Sequence, residues 1–168
     1  DITALALVFP PLEPGDAYQV LVRFYIPEES MKLRAKRDRV PYDVWVRQGH
    51  ITSTPGNVID YAFIMADLDE LMQRYDIAEM AYDPWGATQI QTQLKELRDD
   101  DGEHEWLIQF RQGFASMSPA MKAMERLYMA GELVHGNNPV LNWMANNLVV
   151  REDPAGNVKP DKAKSTEK

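Results

Sequence analysis

The first two apolar stretches of the chain distribute their residues differently. "ITALALVFP" (2–10) is rich in apolar residues and too short to read as a helix. "AYQVLVRFYIP" (17–27) alternates, with Val20, Val22 and Phe24 against Leu21, Arg23 and Tyr25, which is a strand pattern. Between them "PLEPGD" supplies two prolines and a glycine, so the stretches predict an antiparallel pair joined by a loop.

Beyond Pro27 the pattern turns polar and strongly charged. "EESMKLRAKRD" predicts a short helix that stops before Pro41, because the residue preceding a proline is disfavoured in helix. "YDVWVRQG" predicts a further helical turn closed by Gly49. From Asn57 to Tyr75, Val58, Met65, Leu68 and Met72 fall near helical spacing, predicting an amphipathic helix with Asn57 as its cap. "IAEMAYD" (77–83) reads as a strand. "ATQIQTQLKELRDD" reads as a helix with Ile90, Leu94 and Leu97 on one side, and "EWLIQFRQG" (105–113) as strand again. "SPAMKAMERLYMAG" predicts a helix capped by Ser118, with Pro119 at its first position and Gly131 at its end. "ELVHG" is a short extended piece, and "NPVLNWMANN" a helix with Asn138 as cap and Pro139 in its first turn. "LVVRED" extends again, and "PAGNVKPDKAKSTEK" reads as a polar, lysine-rich tail with little power to fold alone. Strands alternating with helices after an opening antiparallel pair predict an α/β fold around a sheet of mixed direction. Sites in such sheets lie outside the carboxyl ends of strands. Asp83 stands at such an end.

Composition narrows the picture without changing it. A length of 168 residues fits one domain, or one domain and a tail, and 45% hydrophobic residues suffice for a core. With no cysteine, disulfides and thiolate metal sites are excluded, so any metal takes oxygen ligands or a histidine. No apolar run approaches the ~18 residues of a membrane helix, and the totals read as a soluble, cytosolic-type domain. The net charge of −8 argues against a generic nucleic-acid coat. It leaves room for an enzyme that acts on DNA through a metal, since carboxylate clusters bind cations.

Phosphate-loop, dinucleotide, zinc-protease and nucleophile-elbow motifs are all absent. The histidines, His50, His104 and His135, are scattered. Asp83, in "AEMAYDPWGA", has two readings. It is a cap for the turn into the following helix, or a preorganised oxygen ligand for Mg²⁺ or Mn²⁺, stiffened by Pro84. The acidic run "RDDDGEHE" (Asp99, Asp100, Asp101, Glu103) reads as a solvated loop rather than a cation site. The basic run "MKLRAKRDR" either tracks a phosphate backbone or, with Glu28, Glu29 and Asp38 interspersed, is a solvated helix. Met117, Met121, Met124 and Met129 read as core filling. Trp85 and Trp143 read as packing residues, with Trp85 also placed to wall a site at Asp83.

Several blocks carry a resemblance. "YDPWGATQIQTQL", "VPYDVWVRQGHITSTPGNVIDY", "FYIPEE" and the long stretch from "FRQGFASMSPAMKAMERLYMAGELVHG" to "KAKSTEK" are similar, in order, to the nuclease half of a tailed-phage large terminase. The likeness covers essentially the whole chain. It implies an RNase H-like fold, a mixed central sheet flanked by helices with a charged insertion after the second strand. Residues 1–153 would form that nuclease domain without its first strand, and 154–168 a tail leading to a further C-terminal segment.

The resemblance further implies a metal-dependent endonuclease that cuts concatemeric double-stranded viral DNA. It would use two Mg²⁺ or Mn²⁺ ions about 4 Å apart, held by carboxylates. Asp83 is the catalytic and metal-ligating residue that carries over. The family's first aspartate belongs to a strand before "DITALALVF" and its last to an "IDG"-like helix after "KAKSTEK", both outside these residues. Asp161, in "VKPDKAKS", does not match. The implied partners are the terminase ATPase domain in the same full-length chain, the small subunit and the portal. No membrane is involved, and the implied setting is the cytoplasm of the bacterial host. The alternative is a non-catalytic RNase H-like docking module for portal, small subunit or DNA, with Glu28 to Arg47 as its contact surface.

Overall fold

A computed structural model describes residues 2–85, 88–97 and 106–165. The opening pair forms as the alternation requires. β1 (Thr3–Phe9) runs antiparallel to β2 (Tyr18–Pro27) in a register from Thr3↔Tyr25 through Ala6↔Val22 to Phe9↔Gln19. Side chains of successive strand residues point to opposite faces, so Thr3, Leu5, Leu7 and Phe9 are half-buried while Ala4, Ala6 and Val8 are exposed.

The charged segment folds as α1 (Glu28–Asp38), and α2 (Tyr42–Arg47) follows Pro41. β3 (Thr52–Thr54) then pairs in parallel with Tyr25–Pro27, on the edge of β2 away from β1. The sequence pattern did not mark this strand, because three residues carry no readable period. α3 (Tyr61–Arg74) is capped by Asp60, whose Oδ1 accepts the amide of Ala62 at 2.9 Å, rather than by Asn57. Asn57 belongs to the loop before it, where its carbonyl accepts a hydrogen bond from Ser30 Oγ.

β4 (Met80–Tyr82) and β5 (Leu107–Gln109) form a separate parallel pair around α4 (Thr88–Leu97), in the register Met80↔Leu107 to Tyr82↔Gln109. α5 spans Phe114–Met129 and begins after Gly113, so Pro119 lies inside it. Ser118 does not cap this helix: it is buried, and its Oγ accepts the amide of Val158. Of the methionines expected to fill core, Met124 and Met129 are exposed, at 52% and 78%.

β6 (Leu133–Val134) pairs with Tyr18–Gln19, at the other end of the same β2 edge that carries β3. α6 (Pro139–Asn146) starts as expected, with Asn138 Oδ1 accepting the amides of Val140 and Leu141. The last pair is a hairpin, β7 (Val150–Glu152) against β8 (Val158–Pro160). β8 lies within the segment read as a tail. There the chain is held by pairing to β7 and by the bond to Ser118 of α5.

Among the described residues two cores hold these layers. Phe24, Ile26, Met31, Val40, Tyr42, Trp45, Ile51 and Val140 bury one face of the β1–β2–β3 sheet under α1, α2 and α6. Tyr42, Trp45 and Trp143 meet edge to face with ring centroids 5.6–6.0 Å apart, a geometry that adds to simple burial. Leu68, Leu94, Trp106 and Leu107 form the second core, binding α3 and α4 to the β4–β5 pair.

Candidate active site at the end of the parallel pair

β4 delivers Asp83 directly beyond its last residue, and β5 delivers Gln112 a few residues beyond its own end. Because the strands are parallel, both exits open on the same rim. The amide of Phe110 donates to the carbonyl of Tyr82 at 2.8 Å and holds the exits together. Asp83 is half-buried there. Its Oδ1 accepts the amide of Trp85 at 3.1 Å, and its Oδ2 accepts Gln112 Nε2 at 2.6 Å.

The turn reading of Asp83 has a structural counterpart. The Trp85 contact is an Asx turn, which stiffens the D-P-W bend. The Gln112 contact comes from a residue 29 positions away and fixes the direction of the carboxylate. An ionised carboxylate has about four acceptor positions, so these two bonds leave lone pairs for a hard cation. Asp83 thus suits an oxygen-liganded divalent ion. It does not make a site alone, since among the described residues no group of three His, Cys, Asp or Glu side chains is placed to hold a metal.

Trp85, expected to pack or to wall the site, is 87% exposed. The acidic run from Asp99 to Glu103, with His104, lies outside the described residues. Asp161 is buried and structural: its Oδ1 accepts the amides of Ala163 and Lys164, and its own amide donates to Val149.

Behind Gln112 opens a groove of 520 Å³, walled by the β7–β8 hairpin and the end of α6. Arg151 and Lys159, direct partners across the hairpin, both lie over the ring of Phe114, each 5.2 Å from its centroid. Lys159 Nζ also donates to the carbonyl of Gln112 at 3.2 Å. A continuous path of contacts thus runs from Lys159 through Gln112 to Asp83. Sequence reasoning missed Gln112, Arg151 and Lys159. The signal for the last two was available: "DPAGN" is turn chemistry between "VVRE" and "VKP", and pairing those flanks sets the two cations opposite each other.

The family model described as terminase large subunit, endonuclease domain, matches residues 1–168. The terminase large subunit of Enterobacteria phage HK97 is 40% identical over 167 residues, covering 99% of this chain and 32% of that protein. Protein YmfN of Escherichia coli K12 is 29% identical over 157 residues, 90% of this chain and 33% of that one. The crystal structure of the HK97 bacteriophage large terminase superposes with a TM-score of 0.85 at 39% identity, covering 100% of this chain and 34% of that one. The chain therefore spans about a third of the length of these relatives. The fold is the mixed α/β, RNase H-like arrangement that the sequence resemblance implied. The chain belongs to the endonuclease-domain family of terminase large subunits.

Proposed function

We propose that this domain cuts concatemeric double-stranded viral DNA as a Mg²⁺- or Mn²⁺-dependent endonuclease, with Asp83 as a catalytic, metal-ligating carboxylate. The observation that carries the reading is the hydrogen bond from Gln112 Nε2 to Asp83 Oδ2 at the exit of the parallel pair. It spends a long-range contact on aiming a carboxylate that a simple turn would not need aimed. A divalent cation bound there supplies Lewis acidity to phosphodiester hydrolysis. The protein's own part is to present a fixed, ionised oxygen ligand at a rim open to substrate. Two edges carry the rest of the proposal. Among the described residues β1 pairs only with β2, and β4 only with β5. A strand from the longer protein pairing with them would bring a second carboxylate beside Asp83, and the two-ion site is completed by acidic residues outside this sequence. The ATPase domain belongs to the same full-length chain, the small subunit and portal are its partners, and the work is done in the host cytoplasm. No helix among the described residues is long and apolar enough to cross a membrane.

The test is Asp83→Asn in the full-length protein, assayed by nicking and linearisation of plasmid in Mg²⁺ or Mn²⁺. Cleavage falls by roughly a hundredfold or more, at or beyond what losing a group behind a metal ligand costs. Cleavage at the parental rate would leave Asp83 as a turn residue and favour the non-catalytic docking module.

A further inference from the structure

We propose that Arg151 and Lys159 form a cross-strand clamp for the phosphodiester backbone of DNA, leading that backbone to Asp83. The proposal rests on the nuclease reading and adds to it the residues that bind substrate.

The first argument is electrostatic. Arg151 and Lys159 are direct partners in the antiparallel register of the hairpin, where like charges oppose each other at a cost in stability. Among the described residues neither cation is ion-paired with a carboxylate. What holds them together is the face of Phe114, over which both lie, and cation–π attraction offsets only part of the repulsion. An anion placed between the two cations would remove the conflict, and a phosphate is the anion that fits the established family.

The second argument is position. Lys159 donates to the Gln112 carbonyl, and Gln112 donates to Asp83, so the clamp lies one residue from the candidate catalytic carboxylate. The third is the local balance of charge. The chain carries a net −8, yet among the described residues the groove wall presents Arg151 and Lys159 against one carboxylate, Asp161. That carboxylate already serves as acceptor for the amides of Ala163 and Lys164. Asn147 lines the same wall with its Nδ2 buried and without a partner, an unspent donor beside the cations.

The experiment uses the full-length protein with Arg151→Gln and Lys159→Gln together, and a short fluorescein-labelled duplex in EDTA, so that binding is read without cleavage. Titrated against KCl, the double variant binds about tenfold more weakly, and the salt slope falls by about 2, close to one counterion per cation removed. Arg151→Lys keeps the charge and retains most of the affinity. In Mg²⁺ the double variant needs more DNA for half-maximal cleavage while kcat is kept. Its melting temperature is unchanged or raised, because a like-charge pair is gone. Parental affinity and slope in the double variant would overturn the clamp, and so would weaker binding accompanied by a lowered melting temperature. Asp83→Asn separates the two proposals: in that background Arg151→Gln with Lys159→Gln should still weaken duplex binding about tenfold, whatever Asp83→Asn does to cleavage.

Discussion

Among the described residues two antiparallel hairpins treat their cations in opposite ways. In β1–β2, Arg23 is neutralised from the helix layer: its guanidinium lies 3.1 Å from Asp67 Oδ1 on α3, with Glu70 further off at 3.7 Å. Asp67 also accepts the hydroxyl of fully buried Tyr25 at 2.6 Å, so one carboxylate ties the sheet to α3 twice. In β7–β8, Arg151 and Lys159 face each other over one ring and have no such carboxylate among the described residues. The same motif is thus wired for anchorage in one place and left charged in the other. Charge that the fold has neutralised belongs to stability, and charge it has left facing itself is available to a ligand.

The largest effect lies at Asp67. Asp67→Ala takes the nearer carboxylate from a partly buried guanidinium and the acceptor from a buried phenol, and costs about 2 kcal/mol, the scale of losing hydrogen bonds to a charged group. Glu70→Ala costs under about 0.5 kcal/mol, since Glu70 is 64% exposed. Urea unfolding of both variants checks the contrast. Equal losses would mean that Asp67 is no anchor, and the distinction between the hairpins would fail on its first member.

Tyr25 gives the next effect and a pH signature. Burial first, then the hydrogen bond and charge of Asp67, push its phenol above the ordinary value of 10.0. The folded state therefore holds this proton more tightly than the unfolded chain. That stabilisation is fully present below about pH 10 and is lost as pH rises from there towards the folded value. Tyr25→Phe costs about 1 kcal/mol at neutral pH and flattens the alkaline limb of stability. An alkaline limb of parental steepness in Tyr25→Phe would assign it to another group.

Where the pattern was local, the sequence already described the structure. β1 and β2, α1 and α2, and the Asn138 cap follow from alternation, breakers and capping residues lying within a few positions of one another. Where a partner lay far off in the chain, the reading failed. Ser118 and Pro119 carry a helix-start signature, but Ser118 spends its hydroxyl on Val158, 40 residues away, and the helix begins at Phe114 instead. β3 and β8 are short strands defined by what they pair with. Asp83 was legible as a carboxylate at a strand end because strand and turn chemistry meet there. Gln112, which orients it, was not, because only the parallel pairing of β4 and β5 brings the two exits to one rim.

The smallest effect sits at the turn of the second hairpin and runs in the opposite pH direction. Asp153 Oδ1 accepts the amides of Ala155 and Asn157, while the side-chain amide of Asn157 donates to both carboxylate oxygens. The Asn157 side chain first, then its backbone amide and that of Ala155, with the charge of Lys122 last, hold this carboxyl below its ordinary 3.8. A depressed folded value means that the stabilisation is present above about pH 4 and is lost as pH falls through the folded value. The hairpin that carries the clamp should therefore loosen in acid, while the anchored hairpin loosens in alkali. Amide chemical shifts of Ala155 and Asn157, followed by NMR during acidification, should move together with a midpoint below 3.8, and Asp153→Asn should abolish the transition. If the Arg151 and Lys159 signals keep their positions throughout that transition, the turn does not set the spacing of the clamp. If they move with it, acid should weaken duplex binding before it unfolds the β1–β2 sheet.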